Sequence, residues 1–231
     1  MIIIFIFTGN KLPFITFNIK KNRSQNQLSP ENYIRKRART LPIGPCYINE
    51  GWQESGMAMI IVTRKHITGN FTYGIFQVDL YCLGVKEALY KFNGTKDDLD
   101  DIIQKQSEMT DDEDNLIEVD YPLVHNIIYG SIEYAEELGF HPSKDFPITK
   151  FILEEDDDHI ELIDIEFGKD GKPAVMFGME KHPDNILKQL DKSVGPGNYT
   201  VIYAADGSDE DLGPLDTDDE EIIDKPFEEM D

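Results

Sequence analysis

The sequence predicts an α+β domain, a largely antiparallel sheet with helices packed against it. Three observations lead there. Apolar residues make up 40% of the 231, enough to bury one real core. Stretches rich in β-branched and aromatic residues come in hairpin-like pairs, with single helical stretches between them. Regular βαβ alternation and any repeat of fixed period are missing. The expected organisation is a flexible, dispensable extension over residues 1–28, one domain over 29–205 and a disordered acidic tail over 206–231.

Ser29-Pro30-Glu31 reads as a helix start, with Ser29 as cap, Pro30 in the first helical position and an acid in the first turn. That helix runs through Ile34 to Ala38 and stops before Leu41-Pro42. Pro45–Asn49 reads as a short strand. Met57–Thr63 and Phe71–Val85 read as a β-hairpin around Thr68-Gly69-Asn70. Both faces of these strands are apolar, so the sheet should be covered on both sides. Thr95 caps a helix over Lys96–Gln106, and Thr110–Asn115 reads as a solvated loop. The strongest helix starts at Asp120 and Pro122 and ends at Gly139, with Val124, Ile128, Ile132 and Ala135 along one face. Ile160–Phe167 alternates like a strand, Gly168–Lys172 is a turn, and Pro173–Gly178 is the returning strand. Asp184 caps a helix over Asn185–Val194, and Gly195-Pro196-Gly197 turns the chain into a last strand, Tyr199–Ala204.

Charge is large and unevenly spread. The net charge is −23. Residues 11–40 carry +7, residues 206–231 carry −12, and the remainder carries −18. Such a chain does not bind nucleic acid through its acidic core. The basic face at Arg35, Lys36, Arg37 and Arg39 is expected to pair with acids of the same protein. Ile2–Phe7 is very apolar but is broken by Gly9, Asn10, Lys11 and Pro13, so it fits neither a signal peptide nor a membrane span. Two cysteines, Cys46 and Cys82, are too few for a disulfide framework or a four-ligand zinc site.

No phosphate loop, dinucleotide fingerprint, nucleophile elbow, zincin helix, paired-cysteine motif or calcium loop is present, so no cofactor is expected. Gly168-Lys-Asp-Gly-Lys172 imitates a phosphate loop but lies between expected strands, which makes it a hairpin turn. Glu154–His159 offers carboxylates to a hard cation, yet lacks a turn glycine and reads as a solvated run. Asp79 interrupts an apolar run, and a buried carboxylate is costly unless it is hydrogen-bonded or paired. It is therefore expected to be buried, satisfied and structural, with a catalytic or metal-binding role as the sharper alternative. His125 lies one turn before Tyr129 and is a candidate base, or a hydrogen-bonded core histidine. A Cys82–His125 nucleophile pair is conceivable but nothing in the sequence places the two together.

Gly74–Lys86, His125–Gly130 with Glu133–Glu136, and Ile165–Pro173 resemble a family of uncharacterised bacterial proteins, over roughly residues 29–204. The resemblance carries no activity; it implies a bacterial, cytoplasmic setting, in which the Asn-x-Thr sequences have no bearing on glycosylation.

Two functional classes follow. The first is an acidic, non-enzymatic interaction or regulatory domain whose partner is a basic protein surface. The second is a metal-dependent hydrolase with His125 as base and ligands drawn from Asp79, Glu133, Glu136, Glu154 and Glu166. The first has the charge, the tail and the missing motifs on its side.

Overall fold

The computed structural model describes residues 28–109, 115–177 and 183–203. The readings of residues 1–27, of most of the 110–115 loop and of the acidic tail lie outside the described residues.

The chain enters through α1 (Pro30–Arg37), where the Ser29 hydroxyl accepts the Asn32 N–H at 3.3 Å. A single tight turn, Ala38–Thr40, leads into β1 (Ile43–Asn49). A short helix α2 (Trp52–Ser55) precedes β2 (Met57–Lys65), β3 (Phe71–Asp79) and β4 (Gly84–Gly94). These strands form an antiparallel meander. Helix α3 (Lys96–Met109) begins on a capping box: Thr95 Oγ1 accepts the Asp98 N–H at 3.1 Å, and the Asp98 carboxylate accepts the Thr95 N–H at 2.8 Å. It leads to β5 (Leu116–Val119), which pairs antiparallel with β1 on the far edge. The sheet order is β4-β3-β2-β1-β5.

Helix α4 (Tyr121–Glu137) follows, ending where Gly139 takes φ +85° and the Phe140 N–H reaches the Ala135 carbonyl at 2.9 Å. A one-turn helix α5 (Phe146–Thr149), an irregular stretch and β6 (Ala174–Phe177) come next. Helix α6 (Pro183–Ser193) then connects to β7 (Thr200–Tyr203), which lies parallel to β6 in a separate two-stranded sheet.

Period-two patterning decides which layer meets which face. Ala58, Ile60 and Val62 of β2, with Phe76 and Val78 of β3, pack against Val124, Ile127, Ile128 and Ile132 of α4 and Ile34 of α1. Their neighbours Ile61, Tyr73 and Ile75 point the other way and meet Leu99, Ile102 and Ile103 of α3. The five-stranded sheet is thus covered on both faces, as its doubly apolar strands require.

Two expectations are corrected. Phe71–Val85 is two strands, because the chain turns over Leu80–Leu83. The Asp79 carboxylate accepts the N–H groups of Tyr81 (2.9 Å) and Cys82 (3.0 Å), and Gly84 leaves the turn at φ +65°. Ile160–Phe167 pairs with no other described strand, and Pro173–Phe177 does not return along it. The Lys169–Lys172 turn forms, but β6 pairs with β7 instead.

Arg64 lies on the α4-facing side of β2, at the end of an apolar stripe, and is fully buried. Its Nε donates to the Ile152 carbonyl at 2.6 Å, and its Nη1 to the Leu41 carbonyl at 2.9 Å and to the Glu154 carboxylate at 2.7 Å. Two chain segments distant in sequence, around Leu41 and Ile152–Glu154, are tied to one guanidinium of β2. Arg39 does similar work nearer the surface, reaching the Leu153 carbonyl at 2.8 Å and Glu155 at 2.6 Å. Arg35 and Arg39 both lie over the Phe151 ring. The basic side of α1 is in part used within the molecule.

Candidate functional site

A groove of about 430 Å³ opens between two walls. One wall is α2 with the Leu80–Leu83 turn; the other is the chain from Ile163 to Asp170. Trp52, Leu80 and Tyr81 supply apolar surface, and Asp164, Glu166 and Asp170 supply exposed carboxylates, with Lys169 between them. This size is that of a ligand or peptide side-chain site.

The floor is built by backbone geometry. Gly56 ends α2 at φ +67°, and a Cβ there would clash with the Tyr81 ring, so only glycine lets that ring lie against the chain. Tyr81 then donates its hydroxyl to the Glu54 carbonyl at 3.0 Å, and the Leu80 N–H reaches the Gly56 carbonyl at 2.9 Å. The turn also receives the far wall: the Gly168 N–H donates to the Leu80 carbonyl at 2.9 Å. Lys169 Nζ sits 5.8 Å from the Tyr81 ring centre. Burial, and then the carboxylates of Asp170, Asp79, Glu54 and Glu166, push the Tyr81 hydroxyl above its usual value. The groove floor therefore lies in a negative field.

The far wall leans on α4. Asn126 donates Nδ2–H to the Glu161 carbonyl at 2.9 Å and accepts the Ile163 N–H on Oδ1 at 3.2 Å. Phe167 stacks on Tyr134 and rests against Gly130, where a Cβ would come within 2.6 Å of the ring. Tyr121 accepts the Glu154 N–H at 2.6 Å, and Tyr129 donates to the Glu154 carbonyl at 3.3 Å.

The residues singled out from sequence are dispersed. Asp79 is buried and engages the two turn N–H groups. His125 is buried between Tyr121 and Tyr129, with ring centres at 5.5 and 4.7 Å, and its Nε2 has no hydrogen-bond partner. Burial lowers its basicity, partly opposed by Asp156 and the Glu155 carbonyl. Cys82 packs with Leu138, Val175 and Leu190 at the other end of α4, so the structure does not bring it to His125. Glu133 and Glu136 are exposed on α4, Glu154 is taken by Arg64, and Glu166 stands on the groove rim. Among the described residues, no three His, Cys, Asp or Glu side chains are gathered to hold a metal ion. Among the same residues no helix is long and apolar enough to cross a membrane. Sequence reasoning did not find Trp52, Tyr81 or Asp164; the one local signal was Gly56, four residues after the chain's single tryptophan.

Comparison with protein-family models, with curated proteins and with solved structures gives no match.

Proposed function

We propose that this is an acidic interaction or regulatory domain that acts without catalysis by receiving a basic surface of a partner protein. The observation that carries the reading is the groove: an aromatic floor of Trp52 and Tyr81 under a rim of Asp164, Glu166 and Asp170. A cationic side chain entering it meets opposite charge at the rim and the Trp52 ring on the floor, two attractions that add for arginine and lysine. The net charge of −23 adds long-range attraction for the same partner. A bacterial, cytoplasmic setting is part of this reading, on the resemblance described above. The metal-dependent alternative has no assembled ligand set among the described residues to draw on.

Binding of an oligo-arginine peptide to the full chain tests the reading. Reversing the rim, Asp164→Lys with Glu166→Lys, should weaken binding by about tenfold or more, since like charges placed at a contact are strongly unfavourable. Reversing Asp97 and Asp100, exposed acids on α3, should cost far less. Equal losses from the two reversals would mean that charge alone acts and that the groove has no special part.

A further inference from the structure

We propose that Glu161–Phe167 is a strand without a partner, and that the basic segment received by the groove joins it by β-strand addition. This rests on the interaction reading above and names the form that the partner takes.

Four observations support it. The segment has the alternation of a strand: Ile163, Ile165 and Phe167 are half-buried toward the domain, while Leu162, Asp164 and Glu166 are exposed. No turn, bend or helix interrupts it from Glu161 to Phe167. Its backbone is largely unused. The N–H groups of Leu162, Asp164, Ile165, Glu166 and Phe167 donate to no described residue, and the carbonyls of the same residues accept from none. Finally, Asn126 already supplies one rung. Its side-chain amide gives N–H to the Glu161 carbonyl and takes the Ile163 N–H, the pair of contacts that the N–H and C=O of one residue in a parallel neighbour would make. An extended chain turns successive backbone groups to opposite sides, so the side not facing Asn126 is left open.

A row of free N–H and C=O groups is a template for an added strand. Main-chain bonds would supply affinity, and alternate side chains would supply selectivity. Asp164 and Glu166, two apart, project from the same side, so the incoming strand should carry arginine or lysine at alternate positions. Leu162, 89% exposed and in the same row, offers an apolar neighbour for a residue between them. A second copy of this chain fits poorly, because its own Asp164 and Glu166 would meet acids of the same sign.

The probe is a peptide of about six residues, the common strand length, alternating arginine and valine, added to the full chain. Trp52 is the chain's single tryptophan and lines the groove, so its emission reports occupancy of this site alone. Binding should change Trp52 emission and slow amide exchange at Leu162, Asp164 and Glu166. The same peptide N-methylated at alternate residues keeps its charge but loses donors, and should bind about tenfold more weakly, a loss of roughly 1.4 kcal/mol. Equal binding of the two peptides, with no slowing of exchange, would overturn strand addition while leaving the acidic interaction reading in place. Failure of both to bind at low salt would overturn both. Self-association of the chain with protection of the same amides would replace the basic partner by a second copy.

Discussion

Arg64→Lys tests whether one buried guanidinium holds the irregular 150–160 stretch to the sheet. Arg64 serves three acceptors: the Ile152 carbonyl at 2.6 Å, the Leu41 carbonyl at 2.9 Å and the Glu154 carboxylate at 2.7 Å. They approach it from two segments, Leu41 and Ile152–Glu154, and two different nitrogens of the planar fork reach them. A lysine carries its charge on a single nitrogen on a shorter stem and cannot copy the fork. We expect it to keep one of the three bonds. Each buried carbonyl left without a donor costs about 1–3 kcal/mol, so loss of both carbonyl contacts should cost about 2–6 kcal/mol. The Glu154 side chain is 38% exposed and regains water when released, so the carbonyls dominate this cost. Urea unfolding at neutral pH should show a lower midpoint with an unchanged slope. Amide exchange should quicken at Ile152, whose N–H bonds to the Thr149 carbonyl within the tethered turn. A midpoint within about 0.5 kcal/mol of the parent, the range of a neutral surface substitution, would refute the reasoning.

Three further outcomes follow from the geometry. Asp79→Asn keeps the shape and removes the charge from a group that receives two neutral N–H donors, so it should cost about 1–3 kcal/mol in the urea midpoint; a gain in stability would instead mark a carboxylate held for function. His125 is held below the ordinary histidine value of 6.5 by burial, so below that pH the unfolded chain takes a proton that the folded chain refuses. Stability should therefore fall as pH drops from about 6.5 toward 5, and His125→Gln should remove part of the slope, leaving the share of His66, which burial also lowers. Gly84→Ala would set a Cβ 2.8 Å from the Ser131 carbonyl oxygen and 2.9 Å from Ala135 Cβ, in a backbone at φ +65°. It should cost about 3 kcal/mol from left-handed strain and overpacking together, read as a drop in Tm, and an unchanged Tm would show that α4 can shift away.

Helices α1, α3 and α4 were legible because their ends are written in side chains: Ser29-Pro30, Thr95 and Gly139 each act locally as read, whereas the one-turn helices α2 and α5 carry no such signal. The doubly covered sheet was legible because β2 and β3 are apolar on both faces. The hairpin inside Phe71–Val85 was not, since Val78 to Val85 is apolar apart from Asp79. The break comes from that side chain accepting two N–H groups, a contact that periodicity does not see. Ile160–Phe167 deceived in the opposite way. Alternation reports which side is buried, not what covers it, and here α4 takes the place of a neighbouring strand. The groove was hidden because it joins residues 52–56, 80–81, 123 and 163–170, which meet only after the meander has folded. Glu154 illustrates the same limit: in sequence it is one acid of a run, and only the fold gives it to Arg64.

The parallel pair β6–β7 stands apart from the main sheet, and this bears on the order in which the molecule opens. Its ties to the rest include the Ala174 N–H to the Tyr81 carbonyl at 3.1 Å, the Gln189 side-chain amide to the Leu138 carbonyl at 2.9 Å, and an apolar cluster centred on Cys82, Leu138, Val175 and Leu190, apart from the main core. The five-stranded sheet keeps all its ladder bonds whether or not this pair is in place. Proteins open in cooperative units, and a unit held by few buried contacts opens at a lower free energy than the whole. Strand β6, helix α6 and strand β7 should therefore exchange their amides together, ahead of β2 and β3. While these elements are open Cys82 loses its contacts with Val175 and Leu190, so a thiol reagent reaching Cys82 before Cys46, which sits in β1 within the main core, would register each such opening.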